Sequence, residues 1–270
     1  MSEKQIYLIA EIGWNHMGDM VLAKEMISAA KESGAYFAKF QTWRVRNLKP
    51  GPWDQDGRIE IYRKAELTED QHLELYEFCQ SLNIKFLTSV FNPADLEMVS
   101  KIDNSFVKIP SHEIHNLDLI SQASQLFNKV LISTGASNWN EVLQVADLID
   151  KEKRILMHCV SAYPAEHESI NLPKLKKISD LSLEYGYSGH HIGIKDAIAA
   201  IAMGATYIEK HFTLDNKLPG RDNQFAILPE QFKEIADFKD SFEEMSVDHG
   251  LDLQENELDI FTNYRGRWSK

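Results

Sequence analysis

Eight times along the chain a short apolar run gives way to a longer segment of helical period, and this alternation constrains the fold more than any other feature. The runs fall at residues 6–13, 35–43, 84–91, 105–111, 129–135, 154–161, 183–190 and 206–213. A short β-prone run followed by an amphipathic stretch reads as one βα unit. Helical period fills LAKEMISAAKESG, EDQHLELYEFCQSL, NPADLEMVSKI, NLDLISQASQLF, NWNEVLQVADLI, GIKDAIAAIAMG and PEQFKEIADFKDSFEEM. The starts carry suitable residues: in NPAD, Asn92 can cap and Pro93 takes the first helical position. Eight such units in 270 residues match a closed (β/α)8 TIM barrel of the α/β class. An open doubly wound sheet has about five to seven strands. The expectation is one barrel domain over residues 1–245 and an acidic tail over 246–270 that carries Arg265, Arg267 and Trp268.

Charge and composition exclude several functions. With 29 Lys+Arg against 41 Asp+Glu the net charge is −12, the wrong sign for a chain that reads nucleic-acid phosphates. Two cysteines, Cys79 and Cys159, support neither a disulfide framework nor a thiolate zinc site. No basic-then-apolar leader opens the chain and no run approaches 18 apolar residues, so a cytoplasmic protein without membrane contact is expected. No GxGxxG or GxxxxGK[ST] follows a strand, which removes dinucleotide and P-loop sites. One stretch breaks the rhythm: RVRNLKPGPWDQDGRIEIYRKA, residues 44–65, reads as a long βα loop, either on the active-site rim or a plain surface insertion.

In a barrel the catalytic groups sit at the C-terminal ends of the strands, and unusual polar residues collect there. They are Glu11, Asn15 and His16; Lys39 and Gln41; Thr88 and Ser89; Lys108, Ser111 and Glu113; Ser133 and Thr134; His158, Ser161 and Tyr163; Ser188, His190 and His191; and Glu209, Lys210 and His211. Lys39 and Lys108 are flanked by apolar residues (FAKFQ, FVKIP), so their ammonium groups need anions. The partners are either a substrate phosphate or carboxylate, with Ser89, Ser111, Ser133, Thr134, Ser161 and Ser188 as neutral donors, or internal carboxylates among Glu11, Glu113 and Glu209. His190 and His211 end consecutive strands and could share a divalent ion or be hydrogen-bonded core residues; His158 lies deeper in its strand.

Seven segments in order, AEIGWNHMGD, AKFQ, KIPSHEIHN, LISTGAS, MHCVSAYPAEHESINL, GYSGHHIG and GATYIEKHFTLD, resemble the sialic acid synthase family over about residues 6–230. The resemblance implies a TIM barrel that condenses phosphoenolpyruvate (PEP) with the open-chain aldehyde of an N-acylated sugar such as N-acetylmannosamine, or another amino sugar or aldose, releasing phosphate. It implies a divalent cation, Mn2+ foremost with Mg2+ or Co2+ as alternatives, held by His190 and His211. Lys39 and Lys108 match the PEP-binding lysines, with hydroxyls at Ser89, Ser111 and Ser188. Glu113 matches the carboxylate that meets the sugar, and Glu11, Gln41 and Tyr163 match further pocket residues. Ser161 stands where the family commonly has Asn. Glu11 or Glu113 would handle protons, and a homodimer is implied.

This chain departs from the pattern in three places. Ser188-Gly189-His190 replaces S-D-H, reading as the loss of a carboxylate close to the metal, and Gly220-Arg221-Asp222-Asn223 replaces G-P-D-H. The family's C-terminal antifreeze-like (SAF) domain, which brings an arginine to the sugar, has no counterpart in these residues. Arg221, or Arg265 with Arg267, is the expected replacement. Two other functions compete: a metal-dependent aldolase or lyase that uses pyruvate and releases no phosphate, and a catalytically degenerate, non-catalytic homologue that serves as a binding or partner subunit.

Overall fold

The computed structural model describes residues 5–268. Eight parallel strands close into a barrel in chain order: β1 (Tyr7–Gly13), β2 (Phe37–Thr42), β3 (Lys85–Val90), β4 (Phe106–Ile109), β5 (Lys129–Ser133), β6 (Arg154–Cys159), β7 (Glu184–Gly189) and β8 (Tyr207–His211). The α-helices of the described residues surround it: α1 (Met20–Glu32), α2 (Arg58–Ala65), α3 (Glu69–Ser81), α4 (Pro93–Ile102), α5 (Leu117–Leu126), α6 (Trp139–Leu148), α7 (Pro173–Ser179), α8 (Lys195–Ala202) and α9 (Pro229–Met245). Each of the eight expected strands is present. The fourth is shorter than its apolar run, because Pro110 has no N–H for the ladder and a 3-10 turn, Ser111–Glu113, begins after it. Asn92 Oδ1 accepts from the Ala94 N–H at 3.0 Å and Pro93 opens α4, as the capping pattern implies.

Two helices escape the sequence pattern. The region expected as a loop, 44–65, folds into two 3-10 turns, Val45–Asn47 and Pro52–Gln55, and then α2. The helix α7 buries only Leu175 and Ile178. Such short segments show too few apolar positions for a period to appear.

Side-chain alternation along the strands divides the interior in two. Ile9, Phe37, Leu87, Leu131, Ile155, Met157 and Tyr207 fill the lower barrel interior, while a larger apolar layer lies between strands and helices. The upper interior is polar. Parallel register sets Glu11 beside both Lys39 and His211, Ser89 beside Lys108, and Ser188 beside Glu209, in one layer at the mouth.

A polar relay outside the barrel sets part of its acid stability. His72 Nδ1 donates to the Thr68 carbonyl at 2.7 Å, so its Nε2 accepts from the Thr42 hydroxyl at 2.8 Å, which in turn accepts from Thr88 at 2.7 Å. Burial pushes the His72 pKa down to about 4, below the ordinary value near 6.5. Between those values only the unfolded chain binds the proton, so stability falls as pH drops from 6.5 toward 4. In urea titrations at pH 7 and 4.5 the wild type should lose about 2 kcal/mol more than His72→Gln. Equal losses would show that this histidine does not contribute.

Candidate active site

The floor of the mouth is a buried charge network. Lys39 Nζ lies 2.5 Å from Glu11 Oε2 and 3.7 Å from Glu209 Oε1, and donates to Ser89 Oγ at 2.9 Å. Lys108 Nζ lies 2.5 Å from Glu209 Oε1 and 3.1 Å from Ser188 Oγ, and Ser188 donates to the same carboxylate oxygen at 3.1 Å. Gln41 Nε2 donates to Glu11 Oε1 at 2.5 Å. Of the two readings of the lysines, internal pairing is what this structure contains, with Glu11 and Glu209 as partners and Glu113 elsewhere.

The same charges separate the two glutamates. Burial pushes the Glu11 pKa up, and Lys39 offsets that only in part while the neighbouring Glu209 charge adds to it. Burial acts on Glu209 too, yet two ammonium groups outweigh it and hold this carboxyl below the usual range. Burial lowers Lys108 against the pull of Glu209. Two carboxyls in one mouth with pKa values driven apart form an acid and a fixed anion.

On the β4–β6 side hydroxyls and a thiol converge. Ser111 Oγ lies 2.9 Å from Cys159 Sγ, which lies 3.9 Å from Ser161 Oγ. A Cβ at Gly135 would fall 2.5 Å from Ser161 Oγ, 2.6 Å from Cys159 Sγ and 2.9 Å from Ser111 Oγ, so only glycine lets the groups approach. The buried Ser133 Oγ makes no hydrogen bond among the described residues. Glu113, half-buried on its turn, accepts from Asn116 Nδ2 at 3.2 Å.

His190 and His211 face each other across the β7 and β8 ends with ring centroids 5.4 Å apart. His190 Nδ1 donates to the Val160 carbonyl at 2.7 Å, which leaves the Nε2 lone pair free. His211 Nδ1 is buried without a hydrogen bond and lies 3.5 Å from Asp222 Oδ2. Burial pushes His190 down to about 4 and lowers His211 far below its ordinary value, helped by the His190 and lysine charges. Burial and the Glu11 charge raise Asp222 to about 7, so near neutrality the contact is a neutral imidazole facing a partly protonated carboxyl rather than an ion pair. Two neutral imidazoles, one with an orphaned nitrogen, have the donor chemistry that a divalent cation takes. Among the described residues no three His, Cys, Asp or Glu side chains form a complete cage, so remaining positions would fall to substrate oxygens or water.

The rim is aromatic. Tyr163, 54% exposed, lays its ring 4.2 Å from His190, with Phe225 at 5.8 Å. Trp14 and Trp43 meet Tyr62 of α2 at 5.2 and 5.8 Å, so the 44–65 segment forms part of the rim. Arg221 ties the loop after β8 to that segment through Asp56 at 3.2 Å and adjoins Asp222.

Two expectations need correction. Arg265 and Arg267 stack on Phe261 and Tyr264 at 4.7 and 5.2 Å within an exposed tail, whereas Arg221 stands at the rim beside Asp222, where Arg58 of α2 also lies. A side chain at Gly189 would not have faced the mouth: alternation along β7 sends position 189 outward, toward Tyr187, Asp196 and Lys210. Sequence reasoning named Glu209 only as a possible ion-pair partner of the lysines and gave Asp222 no role in the site. Glu209 was visible as a strand-end carboxylate, whereas Asp222 arrives from a loop whose return to the mouth no pattern encodes.

The NeuB family model matches residues 26–249. The N,N'-diacetyllegionaminic acid synthase of Campylobacter jejuni subsp. jejuni serotype O:2 is 35% identical over 250 residues, 86% of this chain and 75% of the relative. The N-acetylneuraminate-9-phosphate synthase of Drosophila melanogaster is 32% identical, over 90% of this chain and 69% of its own. Among solved structures, the N-acetylneuraminic acid (sialic acid) synthetase from Leptospira borgpetersenii serovar Hardjo-bovis, in complex with citrate, superimposes with a TM-score of 0.89 at 29% identity, covering 98% of this chain and 93% of that one.

Proposed function

This chain belongs to the NeuB family, and from that premise we propose that it condenses PEP with the aldehyde of an N-acylated amino sugar to give a 2-keto-3-deoxy sugar acid and phosphate. The observation that carries the reading is the pair of buried ammonium groups, Lys39 and Lys108, at the floor of a mouth lined by Ser89, Ser111, Ser133 and Ser188. PEP brings a phosphate and a carboxylate, matching two fixed cations with neutral donors around them.

His190 and His211 would hold a divalent cation, Mn2+ foremost, which when bound supplies Lewis-acid polarisation of the aldehyde oxygen. PEP C3 forms a bond to the aldehyde carbon, whose oxygen takes up a proton, and C2 becomes electron-poor. Water adds at C2 and loses one proton, then the bond from C2 to the bridging oxygen breaks as the new C2 hydroxyl gives up its proton to the departing phosphate, leaving the ketone. Lys39 and Lys108 hold the phosphate and carboxylate in place and stabilise the charge that grows on the departing group. Glu11, with its raised pKa, carries the proton, while Glu209 stays ionised and keeps both ammonium groups in position. Glu113, Ser161, Tyr163 and Arg221 meet the sugar from above, and Gln41 meets it from the floor beside Glu11.

The test is inorganic phosphate release from PEP with Mn2+ across N-acetylmannosamine, its 6-phosphate, 2,4-diacetamido sugars, mannose and arabinose 5-phosphate. Release that requires one N-acylated sugar supports the reading and identifies the acceptor. Condensation of pyruvate with no phosphate released would favour the aldolase, and absence of PEP binding by calorimetry would favour the non-catalytic homologue.

A further inference from the structure

Behind the mouth, between the barrel and α8, lies an ion pair that the chemistry above does not use. Lys210 Nζ donates to Asp196 Oδ2 at 2.8 Å, to Asp196 Oδ1 at 3.1 Å and to the His191 carbonyl at 2.6 Å. The Tyr187 hydroxyl donates to Asp196 Oδ2 at 3.1 Å. The lysine and aspartate side chains are only 2% and 0% exposed. An isolated ammonium at such a place is costly, so the geometry must be held by complete pairing.

Gly189 makes room for this arrangement. It pairs with Lys210 in the ladder, and a Cβ added to it would sit 2.4 Å from Asp196 Oδ2, 2.6 Å from Tyr187 Cε1 and 3.1 Å from Lys210 Cδ. Gly189 is not among the residues with positive φ, so its backbone accepts any residue and the restriction is one of space. Position 189 and Asp196 therefore compete for one pocket beside one ammonium.

We infer that Asp196 is a positioning residue: through Lys210 and the His191 carbonyl it fixes the turn that carries His190, and its carboxylate occupies the place that a side chain on residue 189 would take. The chain of contacts is continuous. His190 follows Gly189 directly, its carbonyl accepts from the Ala165 N–H at 3.0 Å, and the next carbonyl is held by Lys210. The His190 ring is thus anchored through Val160 and its backbone from both sides. The link to catalysis rests on the reading of His190 as a metal-holding residue. The positioning itself does not.

The experiment is a carboxylate swap. Asp196→Ala should lower Tm by roughly 6–12 °C, because a buried ammonium loses its counter-charge. Gly189→Asp should also lower Tm, since it forces two carboxylates into one space. The double variant Gly189→Asp/Asp196→Ala should recover most of the loss, its carboxylate reaching Lys210 from β7. Amide hydrogen exchange over residues 190–194 should accelerate about tenfold or more in Asp196→Ala and return toward the wild-type rate in the double variant. Co2+ affinity of the metal-free chain, followed by visible absorption, should weaken about tenfold in Asp196→Ala and recover with the swap.

A double variant no more stable than Asp196→Ala, a Gly189→Asp chain as stable as wild type, or unchanged exchange at 190–194 would each overturn the inference. Absence of Co2+ binding by the wild type would count against the metal reading of His190 and His211, and Tm and exchange would still decide the role of Asp196.

Discussion

Replacing Lys108 with methionine should lower kcat/KM for PEP by about 10³-fold while leaving the barrel folded. Methionine fills the stem's volume without the charge that would meet PEP's anionic groups. The fold should survive because Glu209 would not be left alone: its Oε1 lies 3.7 Å from Lys39 Nζ and accepts from the Ser188 hydroxyl. Lys39→Met should act similarly, and there Glu11, already pushed toward its neutral form by burial, would take up a proton in place of the lost ion pair. Steady-state phosphate release with Tm as a control checks both. Near-wild-type turnover in Lys108→Met would mean that the paired lysines are structural and that PEP binds elsewhere.

His211→Ala should lower kcat by about 10³-fold or more, with EDTA producing the same silence in the wild type and Mn2+ reversing it only there. The basis is the orphaned His211 Nδ1 and the lone pair left on His190 by its bond to Val160. With His211 gone, His190 alone would be too few to hold a cation against water. Calorimetric titration of Mn2+ separates this from a packing effect: His211→Ala should lose the binding heat, whereas His158→Ala should keep it, because His158 Nε2 meets the Ile170 carbonyl behind the strand. Wild-type activity in exhaustive chelator would remove the metal from the reaction.

Much of this architecture is legible in the residues, for a physical reason. Strand and helix periods are local, so eight βα units can be counted, and barrel geometry then dictates that Glu11, Lys39, Lys108 and Glu209 project into one mouth. What stays illegible is what depends on tertiary approach. The choice of Glu209 rather than Glu113 as partner of Lys108 is set by register across the barrel, not by spacing. Asp222 reaches His211 from a loop, and Asp196 reaches the space beside Gly189 from a helix. The outward direction of position 189 was available from alternation alone, since Ser188 and His190 bracket it, yet its neighbours were not. The helix α2 hid inside a Gly- and Pro-rich stretch because it buries little beyond Ala65.

The most direct measurement follows the oxygen that bridges C2 and phosphorus in PEP. With 18O at that bridge, the accepting sugar and Mn2+, condensation by C2–O cleavage should place the label wholly in the released phosphate, with one equivalent of 2-keto sugar acid formed per phosphate. Unlabelled phosphate, with the label retained in pyruvate or in the keto product, would mean that the P–O bond breaks instead, and the synthase mechanism proposed for this barrel would be wrong.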